Sequence, residues 1–164
     1  MLRGWHADRN GDVLHRRYPP DAATLTGGVA TFTTSTQSVG AHSVRATYNG
    51  SSNYNTSTSS TISQTVTKAN TSTALSSAPN PSLSGQPVTL TATVTPVAPG
   101  GGTPTGAVSF FDGATLLGTG GLSAGVATFT TSTLSVGSHS LTAVYSGSGS
   151  HNASTSPVVT QTVS

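Results

Sequence analysis

The chain has 164 residues, of which 33% are hydrophobic and 6% charged, with 19 Gly, 9 Pro and no Cys. That length holds one ordinary domain or two small ones, and the missing Cys excludes disulfides, thiolate nucleophiles and Cys-ligated metals together. The formal charge is +2, but Arg3, Arg9, Arg16 and Arg17 crowd near the N-terminus, so the remainder lacks the clustered cations and aromatic platforms of a nucleic-acid groove.

Ser and Thr make up about a third of the residues, far above ordinary usage. Low charge argues against a disordered chain, and Thr- and Val-rich segments punctuated by Gly, Ser and Asn fit short strands and turns. An all-β fold is expected. No apolar run approaches the roughly 18 residues of a membrane-spanning helix, so no membrane insertion is expected, and any export signal is expected outside this stretch.

In chain order, residues 1–21, MLRGWHADRNGDVLHRRYPPD, stand apart: they hold the only Met and Trp and most of the charge. Residues 22–67 contain LTGGVATFTTSTQSVGAHSVRATYNGSSNYNTSTSSTISQTV, starting at Leu25. This stretch aligns without gaps on the 42 residues that start at Leu122, with about 26 identities at an offset of 97. A period of that size is a whole sandwich domain rather than a solenoid unit. Residues 22–67 supply about three strands, a partial copy that is not expected to fold alone.

Residues 68–164 form the complete copy. TSTALSSAP gives a first edge strand that ends at Pro79 and Pro81. QPVTLTATVTP alternates Val88, Leu90, Ala92 and Val94 against Thr89, Thr91, Thr93 and Thr95, the period of a half-buried strand. GAVSFF sets Val108 and Phe110 on one face, and Asp112-Gly113 signals a tight turn. ATLLGT, GVATFTT, HSLTAVY and PVVTQTV complete about seven strands, the pattern of an antiparallel β-sandwich.

PTGAVSFFDGATLLGT, GVATFTTSTLSVGSHSLTAVYSG and the closing TQTV resemble the bacterial immunoglobulin-like repeats found in tandem in large surface and secreted proteins. The resemblance covers residues 22–164. It implies an Ig-like sandwich serving as a stalk, spacer or adhesive module in an extracellular or cell-surface protein, and it carries no catalytic residues over. Neighbouring repeats, and a cell-surface glycan or protein, are the partners it implies. Two other readings stand beside the spacer: a ligand-binding Ig-like module, for carbohydrate or another ligand, and a non-functional gene fragment.

By the same offset, residues 1–21 occupy the place of GGTPTGAVSFFDGAT. They read either as a basic leader or as this repeat translated out of frame. Moving the frame by one base forces Trp5-His6 to read Gly, as at Gly102. Gly4, His6, Ala7, Asp8 and Arg9 then permit Gly, Thr, Pro, Thr and Gly, so the segment matches Gly101 to Gly106. Val13 and Leu14 permit Phe-Phe, and Arg16 and Arg17 permit Asp-Gly after one inserted residue. The nucleotide sequence decides between the two.

Candidate chemistry is sparse. His42 and His139 recur in both copies as G-x-H-x-hydrophobic; a metal ligand or general base would need nearby His, Asp or Glu, of which there are almost none. His139 precedes Leu141 by two residues, as the corner Tyr of antibody domains precedes its Cys, so a structural corner is expected. Asp112 is expected to cap its own turn, since one carboxylate cannot build a calcium site. Lys68 lacks the assisting acid of an isopeptide bond and belongs to the linker TVTKAN. Tyr48 and Tyr145 are expected in the core rather than on a sugar-binding face, and Tyr54 becomes His151 in the second copy. Asn49, Asn55, Asn70 and Asn152 match N-x-S/T by chance in Ser/Thr-rich sequence. The Gly100–Gly102 run opens no helix that could bind phosphate, and no G-x-S-x-G elbow appears. No catalytic, cofactor-binding or metal-ligating residue is assigned, no cofactor is expected, and the chain is read as not an enzyme.

Overall fold

The computed structural model describes residues 23–164, so the out-of-frame reading of residues 1–21 lies outside the described residues. The chain divides into two compact units, the first ending at Val66 and the second spanning Thr67–Ser164. Every regular element among the described residues is a strand.

The first unit contains β1 (Gly40–Val44), β2 (Thr47–Tyr48), β3 (Ser57–Thr58) and β4 (Ile62–Val66). β1 pairs antiparallel with β4, from Gly40↔Val66 to Val44↔Ile62, and β2 pairs with β3. A tight turn upstream is closed by the Thr26 and Val29 amides donating to each other's carbonyls at 2.9 and 3.1 Å. The expected strand at GVATFTT does not form here. Its counterpart in the second unit, β9, is held along β6. Burial is correspondingly thin, with Ile62 60% exposed and Val29 65% exposed.

The second unit contains β5 (Thr71–Ala78), β6 (Val88–Pro96), β7 (Ala107–Asp112), β8 (Thr115–Gly121), β9 (Val126–Thr131), β10 (Gly137–Tyr145), β11 (Ser154–Thr155) and β12 (Val159–Val163). One sheet has the order β5-β6-β9; the other has the order β8-β7-β10, with β11 and β12 both along the far edge of β10. All named pairings are antiparallel. This is the expected all-β Ig-type sandwich. The seventh expected strand, PVVTQTV, is part of a longer interrupted one, because Pro157 has no amide to donate. At the break the Ser156 side chain accepts from the Ala143 amide at 3.0 Å, while the Ser156 amide donates to the Ala143 carbonyl at 2.9 Å.

The alternation in β6 works as the sequence requires: Val88, Leu90, Ala92 and Val94 are buried, and the intervening Thr residues face outward. They meet Val108 and Phe110 of β7, Ala127 of β9, Leu141, Ala143 and Tyr145 of β10, and Val163 of β12. Each Val, Leu or Phe side chain among them stabilises the fold by roughly 1.5–3 kcal/mol if fully buried. The Phe110 and Phe129 rings stack at 5.9 Å across this core. Phe129 reaches that position because Gly118 of β8 has no side chain; a Cβ there would lie 2.2 Å from the ring.

Pro79 and Pro81 end the ladder of β5 on β6, and the chain crosses to the other sheet. There Ser82 donates to Thr162 at 2.9 Å and accepts from the Ser164 amide at 2.9 Å. Asn80 imitates a backbone unit, donating to the Thr160 carbonyl at 2.7 Å and accepting from the Thr162 amide at 3.1 Å. Buried Gln161 donates inward to the Pro79 carbonyl at 3.0 Å. The first strand thus holds both sheets together.

Candidate functional site

A histidine–aspartate ion pair of the second unit lies where β7 turns into β8 beside the start of β10. Asp112 and Thr115 close a two-residue hairpin loop at Gly113-Ala114, with Gly113 at φ +55°, a backbone that glycine adopts freely. The pairing of β7 with β10 places Asp112 opposite Leu141. That register brings the Asp112 carboxylate to His139, two residues away along β10.

His139 Nδ1–H donates to Asp112 Oδ2 at 2.6 Å, and Nε2–H donates to the Ser135 carbonyl at 2.8 Å. The second Asp112 oxygen accepts from the Ser140 amide at 3.1 Å. Both ring nitrogens therefore face acceptors, an arrangement only the imidazolium satisfies in full. The His139 pKa is raised from 6.5, first by the Ser135 carbonyl and then by the Asp112 hydrogen bond and charge, against an opposing effect of burial. With both nitrogens engaged, neither lone pair is presented to a substrate. Ser135 meets the ring through its backbone carbonyl and not through its hydroxyl.

The expected corner role of His139 matches this geometry: it bonds back to a carbonyl four residues upstream. Asp112 stands in the expected turn, but its side chain accepts from the Ser140 amide of β10 rather than capping its own turn. The expectation that His139 has almost no acid near it does not hold, because Asp112 is its ion-pair partner. The two are 27 residues apart in sequence, and only the β7–β10 register joins them. His42 keeps the corner bond, with Nε2 at 2.7 Å from the Ser38 carbonyl.

The other candidates fall into structural places. Tyr145 is fully buried, and its hydroxyl donates to the Thr105 carbonyl at 2.8 Å, as its core assignment requires. Tyr48 is half-buried, and Tyr54 is 72% exposed. His151, in the place of Tyr54, is buried, with Nε2 3.2 Å from the Gly101 carbonyl and Nδ1 3.3 Å from Ser148 Oγ. It ties the glycine run to the β10–β11 loop, a role the sequence did not signal. Lys68 donates to the Ser148 carbonyl at 2.7 Å, and Asn152 donates to Asn70 Oδ1 at 2.9 Å. Among the described residues, no group of three His, Cys, Asp or Glu gathers in a way that could hold a metal ion.

The family model for the bacterial Ig-like domain (group 3) matches residues 16–67 and 75–164. The first match begins inside the anomalous N-terminal segment. Among solved structures, the chain is similar to the fibronectin(III)-like modules of CbhA from Clostridium thermocellum, with 14% identity and a TM-score of 0.42 over 99% of this chain and 80% of that one. No curated protein matches the chain in sequence. With its two matched stretches covering most of the length, the chain belongs to the bacterial Ig-like domain (group 3) family.

Proposed function

We propose that this chain is a non-catalytic spacer and adhesion module of a larger bacterial surface or secreted protein built from such repeats. The observation that carries the reading is the placement of the two ends of the sandwich. The incoming chain is held at one pole, where Ala69 bonds Ser150 and Asn152, and Thr71 Oγ1 lies 2.7 Å from Ser154 Oγ. Ser154 is opposite Tyr145, the last residue of β10. The outgoing chain leaves at the other pole, where Val163 is opposite Gly137, the first residue of β10. The nine residues of β10 separate the poles by roughly 27 Å at about 3.4 Å per residue.

A domain entered at one pole and left at the other adds its length to a chain of repeats, which is what a stalk requires. Its outward face is rich in Thr and Ser and nearly without charge, so it is hydrated without attracting ionic partners. Among the described residues no helix is long and apolar enough to cross a membrane. In this reading the module works outside the cell or at its surface, with neighbouring repeats as its standing partners.

Chains carrying one to four copies of the 97-residue unit test the proposal by small-angle X-ray scattering. The maximum dimension is expected to grow steadily, by roughly 30 Å or more per copy; a dimension that stays flat as copies are added refutes the spacer reading. A ligand-binding role has one observation in its favour, the exposed Tyr54, since aromatic faces stack on sugars. Saturable binding of the whole chain on a glycan array, lost in Tyr54→Ala, would favour that role instead.

A further inference from the structure

The first and last segments of the second unit run side by side in the same direction. Ala69 bridges His151 and Ser82 bridges Val163, both in parallel. Their second meeting is a seam between residues 79–84 and β12. Asn80 Nδ2 donates to the Thr160 carbonyl at 2.7 Å, and Asn80 Oδ1 accepts from the Thr162 amide at 3.1 Å. The Ser82 amide then donates to the Thr162 carbonyl, the Ser164 amide to the Ser82 carbonyl and the Ser84 amide to the Ser164 carbonyl, each at 2.9 Å. Gln161 Nε2 adds bonds to the Pro79 carbonyl at 3.0 Å and to Ser82 Oγ at 3.2 Å. Gln161 is 0% exposed and Ser82 2% exposed, so these bonds lie in a low local dielectric that strengthens them.

The chain enters the sandwich at one pole and leaves it at the other, and that decides how the seam meets a pull. Tension on the two ends draws residues 69–84 toward the entry pole and β12 toward the exit pole. Parallel neighbours then slide lengthwise past each other, which loads their hydrogen bonds together. Rupture has three routes. If the first strand leaves, it breaks the ladder from Thr71↔Pro96 to Ala78↔Thr89, and the seam with it. If the last strand leaves, it breaks the ladder from Gly137↔Val163 to Leu141↔Val159, and again the seam. If both ladders hold, the two sheets part and the seam breaks between them. The seam fails in every route.

We propose that the seam of residues 79–84 on β12 is the force-bearing lock of the module, holding the sandwich closed when a load stretches the chain. Asn80 is the residue on which the lock turns. Pro79 and Pro81 on either side of it have no amide to donate, and its side chain carries the pairing across that gap. The inference rests on the spacer reading for the direction of the load alone. A module that adds length in solution can still lack the lock, so the scattering and pulling experiments fail independently.

Pulling the full chain by handles on its two ends in a single-molecule force experiment tests the proposal. The second unit is recognised by a release of roughly 300 Å of chain. The chain has no Cys, so Leu83→Cys, at an exposed position, supplies a second handle to be pulled against the C-terminal end. Both of those points lie at the exit pole, so the seam is peeled bond by bond while its hydrogen-bonding groups stay native. At equal force the second unit is expected to unfold at least about tenfold more slowly end to end than in the peeling direction. Asn80→Ala removes two seam bonds and is expected to unfold about tenfold faster or more when pulled end to end. Equal rates in the two directions overturn the proposal, as does an Asn80→Ala chain that keeps the native end-to-end rate. The comparison of directions alters no bonding group of the seam, so it decides the matter even if Asn80→Ala does not fold.

Discussion

The ion pair at the β7–β10 corner makes the stability of the second unit depend on pH. Its carboxylate accepts from both His139 and the Ser140 amide, and His139 is 9% exposed in its side chain. A hydrogen bond to a charged group contributes about 1.5–3 kcal/mol. Because His139 has its folded pKa raised above 6.5, the stabilisation is fully present below the unfolded value. It is lost as pH rises through the folded one. Asp112→Asn removes the charge and presents an amide N–H to Nδ1, which suits a neutral ring donating from Nε2 to Ser135. The substitution is expected to cost about 2 kcal/mol at about pH 5.5, a fall in melting temperature of roughly 8–16 °C for a unit of this size. At alkaline pH, as the ring loses its proton above its raised folded pKa, the difference should shrink. Thermal melts followed by circular dichroism on the full chain at both pH values measure the effect. A native melting temperature that is unchanged or higher at the alkaline pH refutes the reasoning, as does an Asp112→Asn chain that keeps the native pH dependence.

Phe110→Ala empties the centre of the core, where Phe110 is fully buried and stacked on Phe129; urea unfolding should show a loss of about 3–5 kcal/mol. Gly118→Ala sets a methyl group 2.2 Å from the Phe129 ring and should destabilise by about 1–3 kcal/mol. Gly121→Ala meets nothing within 4 Å, so in the same urea titration it should change stability by no more than about 0.5 kcal/mol. Expressed separately, residues 68–164 should melt cooperatively and residues 22–67 should not, and a cooperative calorimetric transition from the shorter piece would contradict the pairing argument.

Strand positions were legible because apolar residues alternate with Thr. The inward set Val88, Leu90, Ala92 and Val94 could be read directly, and the repeat confirmed the unit length. β11 was not legible, since Ser154-Thr155 is too short to show a period. The absence of a strand at GVATFTT in the first unit was equally hidden. Its residues match those of β9 almost one for one, and β9 exists because β6 lies beside it. Local pattern states what a segment can become, while the ladder partner decides whether it does.

The same division holds at the corner. By itself the sequence determined the fold class, the internal repeat, the recurrent G-x-H corner and the Asp-Gly turn, all of which are carried by neighbours along the chain. Only the tertiary structure decided that Asp112 meets His139, that Gln161 and Asn80 tie the two sheets, and that Gly118 makes room for Phe129. Those outcomes depend on cross-strand register and on close packing between sheets. Both arise from residues far apart in the chain, and no single stretch of sequence contains them.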